Sequence, residues 1–405
     1  MTTRIRKVWD SPNRWILLLG LTIVILAIAG ILMVIIRFQR ASTPKPPSAF
    51  YTPPEVLPAG EPGTIIRSEA LPDSLPKGAQ AYRVMYLSTG LNGEQIAVTG
   101  TIIAPAGESD TPRPVIAWAH GTTGIFPECG VSHTNDPYQQ TPIIDRMVNE
   151  GFVVAITDYP GLSTPGIHPY LVGPVEATTV LDSVRAARNL NVSAGDRFVV
   201  WGASQGGHAA LWTGQAAPEY TPELTLLGVA ASAPATDLLR IVESKLNDQA
   251  GGIFLGYVFR SWSEIFSDAN LDNIIKPEVR KQFEAMVKPC FTAPAAFMTI
   301  GEILPPNQYL SVDTLKTEPW ATLFEENTPR GPINVPIIIA HGTADPLIPL
   351  ELSVKEAERR CSEGENVQLA RYPGSVHDAR EDTAVMILGW VMDRFAGRPT
   401  SSNCE

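Results

Sequence analysis

Gly202-Ala203-Ser204-Gln205-Gly206 sets one serine between two glycines. A short apolar run (Phe198, Val199, Val200, Trp201) precedes it, and residues that suit a helix start (His208, Ala209, Ala210, Leu211) follow. A buried strand, a very tight turn and a helix start would present the serine at the apex of the turn. The flanking glycines permit strained backbone angles and a close strand–helix approach, where a Cβ would clash. The chemistry this implies is nucleophilic attack. A serine hydroxyl attacks poorly until a base takes its proton and a third group orients that base. The plainer alternative is a serine that only caps a helix. The strand before it and the helix after it favour the nucleophile.

In such a setting the partners follow in the order nucleophile, acid, base, from loops at the C-terminal ends of later strands. Asp345 fits the acid, in the stretch HGTADPLIP (His341 through Pro349) just past the apolar run Val335–Ala340. His377 fits the base, in Tyr372-Pro373-Gly374-Ser375-Val376-His377-Asp378 between a last strand and a last helix. Asp158 also ends a strand and is the second choice for the acid. Asp378 adjoins His377, and neighbours at a helix start rarely face one another. Of the other histidines, His208 is too close to Ser204, and His133 and His168 precede the serine. His341 is expected to support the acid loop. A developing oxyanion needs backbone N–H donors. One is expected from Gln205, the residue after the nucleophile. The other is expected from His120-Gly121-Thr122-Thr123-Gly124, with Gly121 and Thr122 as candidates and the choice between Thr122 and Thr123 open.

Positioning these loops takes a sheet. Tyr82–Ser88 and Gln95–Ala104, joined by a turn at Thr89–Gly93, read as an antiparallel entry. Pro114–His120, Gly151–Asp158, the run before Ser204, Thr225–Ala231, Val335–His341 and Val367–Tyr372 read as buried strands. Pro142–Glu150, Val175–Leu190, the stretch after Ser204 to about Ala217, Leu350–Gly364 and Asp378–Phe395 read as helices. Alternating strands and helices imply an α/β fold, a mostly parallel sheet covered on both faces. The alternation stops over residues 236–325, where helical patches (Leu238–Leu246, Glu278–Val287) and aromatic clusters stand without strand-like runs. That segment reads as a helical cap inserted between core parts 63–235 and 326–405.

The chain has 405 residues, 18% of them charged, and a net charge of −11. Arg4, Arg6, Lys7, Arg14, Arg37 and Arg40 face only Asp10 in the first forty residues, so the body is strongly acidic and nucleic acid is not an expected partner. Residues 1–14 read as a basic tail. Trp15–Ile36 carries no charge and is long enough to span a bilayer. It reads as an uncleaved signal anchor, and residues 37–62, rich in proline, as a stalk. Basic residues flank both ends of the span, so charge alone leaves its orientation open. Cys129, Cys290, Cys361 and Cys404 all follow the span and show no CxxC spacing, which disfavours zinc or redox motifs and suits an exported domain. The expectation is an extracellular catalytic domain on a membrane anchor, monomeric and without metal.

Together these residues carry a family resemblance. The stretches WAHGTTG with Cys129 just after it, TDYPGLSTPGIHPYLVG (Thr157–Gly173), GASQGGHAA, HGTADPLIP and PGSVHDA resemble the secretory lipase family of α/β-hydrolases. They span Trp118–Ala379, and Thr157–Gly173 is the most family-specific of them. The resemblance implies an α/β-hydrolase fold and action on carboxylic esters, acylglycerols among them, with no cofactor. It puts Ser204, Asp345 and His377 in the triad roles. An acyltransferase or an exported peptidase of the same fold is the alternative, and a non-catalytic surface adhesion protein a further one. Four cysteines allow three pairings. Cys129–Cys290 and Cys361–Cys404 are expected, the first tying the cap to the oxyanion loop and the second stapling the C-terminal tail.

Overall fold

Val115, Ala117 and Ala119 pack into one hydrophobic cluster while Ile116 and Trp118 pack into another, and all five are buried. Successive strand residues face opposite sides of a sheet, so this strand, Arg113–Ala119, lies in a sheet covered on both faces. In the computed structural model the described residues are 46–71, 76–134, 136–138, 140–291, 303–377 and 380–404. Their strands are β1 (Ile65–Ala70), β2 (Ala79–Thr89), β3 (Gln95–Pro105), β4 (Arg113–Ala119), β5 (Val153–Thr157), β6 (Ala194–Ala203), β7 (Thr225–Ser232), β8 (Ile337–Gly342) and β9 (Val367–Tyr372). They form one sheet in the order β1-β2-β3-β5-β4-β6-β7-β8-β9. From β5 to β9 all neighbours are parallel, and β1, β2 and β3 form the antiparallel entry.

The first hydrophobic cluster is covered by α2 (Gly173–Arg188), α3 (Gln205–Tyr220) and α9 (Leu350–Ser362), through Val180, Leu181, Val184, Ala209, Leu211 and Ala357. The second is covered by α1 (Ile144–Asn149) and α10 (Arg380–Phe395), through Met147, Val148, Ile387 and Val391. Each buried aliphatic side chain of this kind stabilises the sandwich by ~1.5–3 kcal/mol. The α/β architecture therefore agrees with the expectation. Strand β1 was not foreseen. It is an edge strand whose second half is exposed, so its sequence lacks a buried strand's apolar pattern.

Between β7 and β8 stands the cap: α4 (Leu238–Lys245), α5 (Gln249–Ile265), α6 (Arg280–Val287), α7 (Pro306–Tyr309) and α8 (Trp320–Glu326). It has its own core, in which Tyr257, Phe259, Trp262, Phe283, Trp320 and Phe324 are buried together. Helix α5 was read only as aromatic clusters, because Gly251, Gly252 and Gly256 weaken its helical signal. Those glycines allow close packing: a Cβ on Gly252 would lie 2.1 Å from the Leu304 carbonyl oxygen.

The stalk needs correction at its C-terminal end. Ala49–Tyr51 forms a turn packed on the body, with Tyr51 only 2% exposed. The Tyr51 hydroxyl donates to Ser132 Oγ at 3.0 Å, and the Arg83 guanidinium lies 5.3 Å from the Tyr51 ring centre. Further along, Gln95 Nε2 donates to the Gly60 carbonyl. Burying an aromatic ring outweighs the extended preference of the prolines around it, so the body begins by residue 49 rather than 63. The basic tail, the Trp15–Ile36 span and stalk residues 37–45 lie outside the described residues. Among the described residues no helix is long and apolar enough to cross a membrane.

Candidate active site

Strand β6 ends at Ala203, helix α3 begins at Gln205, and Ser204 between them has φ 58° and ψ −116°. A non-glycine residue with positive φ is strained by ~1–3 kcal/mol and persists only where its surroundings hold it. Here Ser204 N–H donates to the Ser232 carbonyl at 2.8 Å. The flanking glycines are required by space. A Cβ on Gly202 would lie 2.0 Å from the Gly206 carbonyl oxygen, and one on Gly206 would lie 1.9 Å from the Ala119 carbonyl oxygen. The turn is thus the sharp elbow that the pentapeptide implied.

The loops after β8 and β9 bring Asp345 and His377 together. His377 Nδ1 lies 2.7 Å from Asp345 Oδ2, so Nδ1–H donates and Nε2 is left with its lone pair free to accept a proton. The Asp345 side chain is fully buried and that of His377 is 17% exposed. Asp345 Oδ1 accepts from the N–H groups of Leu347 (2.8 Å) and Ile348 (3.1 Å). His341 Nε2 sits 3.0 Å from both Asp345 Oδ2 and the Ile348 carbonyl, and its Nδ1 lies 2.7 Å from Ser353 Oγ. Burial pushes the Asp345 carboxyl up, but the hydrogen bonds from His341, His377 and the backbone outweigh it and hold the group well below the usual carboxylate range. The residue facing His377 is therefore a fixed negative charge.

Asp158 has a different task. It is fully buried, and its carboxylate accepts from Thr99 Oγ1, Ser132 Oγ and the Val131 and Ser132 N–H groups. It anchors the 131–132 loop, so the second choice for the acid does not meet His377. His208 and His133 are held by other partners as well. His208 spans Glu176 Oε2 (2.8 Å) and the Asn327 carbonyl (2.7 Å), and His133 meets Ser163 Oγ. Among the described residues no group of His, Cys, Asp and Glu could hold a metal ion.

The oxyanion candidates lie beside the serine. A Cβ on Gly121 would sit 3.3 Å from the Ala203 carbonyl oxygen and 3.9 Å from Ser204 Cβ. Thr122 and Thr123 are both buried. The Thr123 carbonyl accepts from Phe291 N–H at 2.7 Å, and Thr122 Oγ1 lies 2.7 Å from the Tyr170 hydroxyl. Gln205 is locked by its side chain, with Nε2 2.8 Å from Glu176 Oε1 and 2.7 Å from His168 Nε2. Burial first, and then nearby His120, pushes His168 down to about 3. The ring is therefore neutral, with Nε2 accepting from Gln205 and Nδ1–H donating to the Pro160 carbonyl. Glu176, His168 and Tyr170 were missed as site residues. The signal was present, since His168 and Tyr170 stand in the Thr157–Gly173 stretch.

Both expected disulfides are formed, Cys129–Cys290 and Cys361–Cys404. The first links the turn Pro127–Cys129, just after the oxyanion loop, to the cap. Ser204, Gln205 and His377 line one cavity together with Tyr170, Leu238, Phe254, Leu255, Val258 and Phe324. The cap thus supplies an apolar cover directly over the serine. The cavity measures about 60 Å³. That is small beside ligand pockets of roughly 300–1,000 Å³.

Known proteins share this fold. The sequence profile described as secretory lipase matches residues 134–403. Lipase A of Arthroderma benhamiae is 25% identical over 392 residues, which cover 91% of this chain and 83% of the relative. A probable inactive lipase of Mycobacterium tuberculosis is 25% identical over 397 residues, covering 91% and 86%. The crystal structure of Candida antarctica lipase A in its closed state superposes with a TM-score of 0.75 at 19% identity, covering 90% of this chain and 89% of that one. At that identity the likeness concerns the fold.

Proposed function

Because the chain belongs to the secretory lipase family, with residues 134–403 matched, we propose that it is a serine hydrolase of carboxylic esters with apolar acyl chains, acylglycerols among them. Membership alone does not carry activity, since one relative is named a probable inactive lipase. What carries the proposal is the 2.7 Å hydrogen bond from His377 to buried Asp345, on a histidine that shares its cavity with the elbow serine.

In this reading Ser204 Oγ attacks the ester carbonyl and its proton passes to His377 Nε2. The carbonyl π electrons move onto oxygen, and the N–H of Gln205 and a donor from Gly121–Thr122 stabilise the negative charge. The intermediate collapses, and His377 returns the proton to the departing alcohol. Water then attacks the acyl-enzyme by the same route, releasing the acid and restoring Ser204. Asp345 stays ionised throughout and stabilises the imidazolium. The apolar cover suits an acyl chain, whose transfer from water is favourable by about 0.8 kcal/mol per CH₂.

The place of action is outside the cell, with the uncharged Trp15–Ile36 span as the tether and the body monomeric. Replacing Ser204 by Ala is expected to bring p-nitrophenyl ester hydrolysis down to the uncatalysed rate with the thermal midpoint retained. Full activity in that variant would sink the proposal. The same assay on membrane and soluble fractions tests the tether, which predicts activity in the membrane fraction.

A further inference from the structure

The Thr157–Gly173 stretch has no part in the triad, yet it touches both halves of the oxyanion site. The Tyr170 hydroxyl lies 2.7 Å from Thr122 Oγ1, and His168 Nε2 lies 2.7 Å from the Gln205 amide. All four residues are buried. Among the described residues Thr123 Oγ1 makes no hydrogen bond, so of the loop's two threonine hydroxyls it is that of Thr122 that ties the loop down.

The stretch is in turn clamped from the cap. Ser261 Oγ, on α5, donates to the His168 carbonyl at 2.6 Å and accepts from Tyr170 N–H at 3.0 Å. Trp262 Nε1 donates to the Tyr170 carbonyl at 2.8 Å. Tyr170 also lines the cavity over Ser204. A continuous chain of hydrogen bonds therefore runs from cap helix α5 through Tyr170 to Thr122, next to the nucleophile. An oxyanion site works only when its donors are held in place before charge develops, and a displacement of 1 Å is costly.

We infer that Tyr170 is a positioning residue for the reaction proposed above: its hydroxyl holds Thr122, and so the Gly121–Thr122 backbone, where the oxyanion forms, and cap helix α5 sets Tyr170. The inference rests on Ser204 being the nucleophile. It makes the cap part of the oxyanion site as well as its cover.

The test compares Tyr170→Phe, Thr122→Val and Thr122→Ser with the wild type, using p-nitrophenyl butyrate and an alkyl trifluoromethyl ketone. The ketone is attacked by Ser204 and leaves a tetrahedral oxyanion in the site. In Y170F, kcat is expected to fall roughly tenfold to a hundredfold with KM within about twofold. Ketone affinity should fall in proportion to kcat/KM, while the product acid binds unchanged. T122V should resemble Y170F, T122S should restore the rate, and the double variant should lose no more than either single one. Thr122 variants leave the tyrosine ring in place, so they carry the test should Y170F fold poorly. Y170F at the wild-type rate, a change confined to KM, or additive losses would overturn the inference. A wild-type chain that neither hydrolyses the ester nor binds the ketone would instead overturn the reading of Ser204, and this one with it.

Discussion

The acid is where a single side chain decides most. Asp345 holds a negative charge in a fully buried position because two histidines and two backbone N–H groups converge on it. That charge favours the His377 tautomer that leaves Nε2 free, and in the proposed reaction it would stabilise the imidazolium. Asp345→Asn is expected to lower kcat by roughly 10³–10⁴-fold while the fold survives, the size seen when such an acid is neutralised with its geometry kept. Steady-state kinetics beside a thermal melt would check this. A loss of tenfold or less would mean that His341, which shares the carboxylate, orients the acid loop more than the charge does. His341 was expected to support that loop, and its 3.0 Å contacts to Asp345 and Ile348 bear this out. The residues proposed as the triad were legible as candidates because each stands in a short local motif at the end of a strand. The oxyanion contacts of Tyr170 and His168 were not, because they join residues far apart in sequence.

Between elements, one buried carboxylate is exposed to pH. Asp182 on α2 accepts from Ser88 Oγ on β2 (2.7 Å), the Tyr220 hydroxyl on α3 (2.8 Å) and Arg185 Nη1 (2.9 Å). Burial raises its carboxyl from 3.8 to about 6, despite those hydrogen bonds. The folded chain therefore holds this proton more tightly than the unfolded chain does. Between about pH 4 and pH 6 the group binds more protons folded than unfolded, so its contribution to stability is present at low pH and is lost as pH rises through that window. The loss is on the order of 3 kcal/mol for a shift of this size. Urea unfolding from pH 4 to pH 7 should show wild type losing stability relative to Asp182→Asn as pH rises. Parallel curves for the two proteins would contradict it. The strands and helices around this site were legible from their periods. The edge strand β1 and helix α5 were not, the first for lack of a buried face and the second because glycines interrupt it.

Over the whole molecule, the cap closes on the serine. The cavity beside Ser204 measures about 60 Å³, small beside a long acyl chain, and it is lined by α4 and α5 on one side and the elbow on the other. Disulfide Cys129–Cys290 pins the cap at one edge, close to the oxyanion loop. Admission of a long chain is expected to part α4 and α5 from the elbow while that edge stays fixed. When Ser204 carries a long-chain alkyl phosphonate, amide hydrogen exchange in α4 and α5 is expected to quicken. Unchanged protection would show that the cavity as it stands already accepts the chain.

The sequence by itself determined the elbow, the order of acid and base after it, the parallel sheet beneath them and the inserted cap. Each of these is written in local patterns: glycines around a serine, apolar runs of strand length, an alternation that stops and resumes. Only the tertiary structure decided that Asp345 rather than Asp158 meets His377, because that choice depends on which strand ends lie side by side in the sheet. It also decided that Tyr51 belongs to the body and that Tyr170 reaches Thr122. Those contacts depend on a ring finding a hollow and on a cap helix clamping a distant loop, and neither leaves a period or a spacing to read.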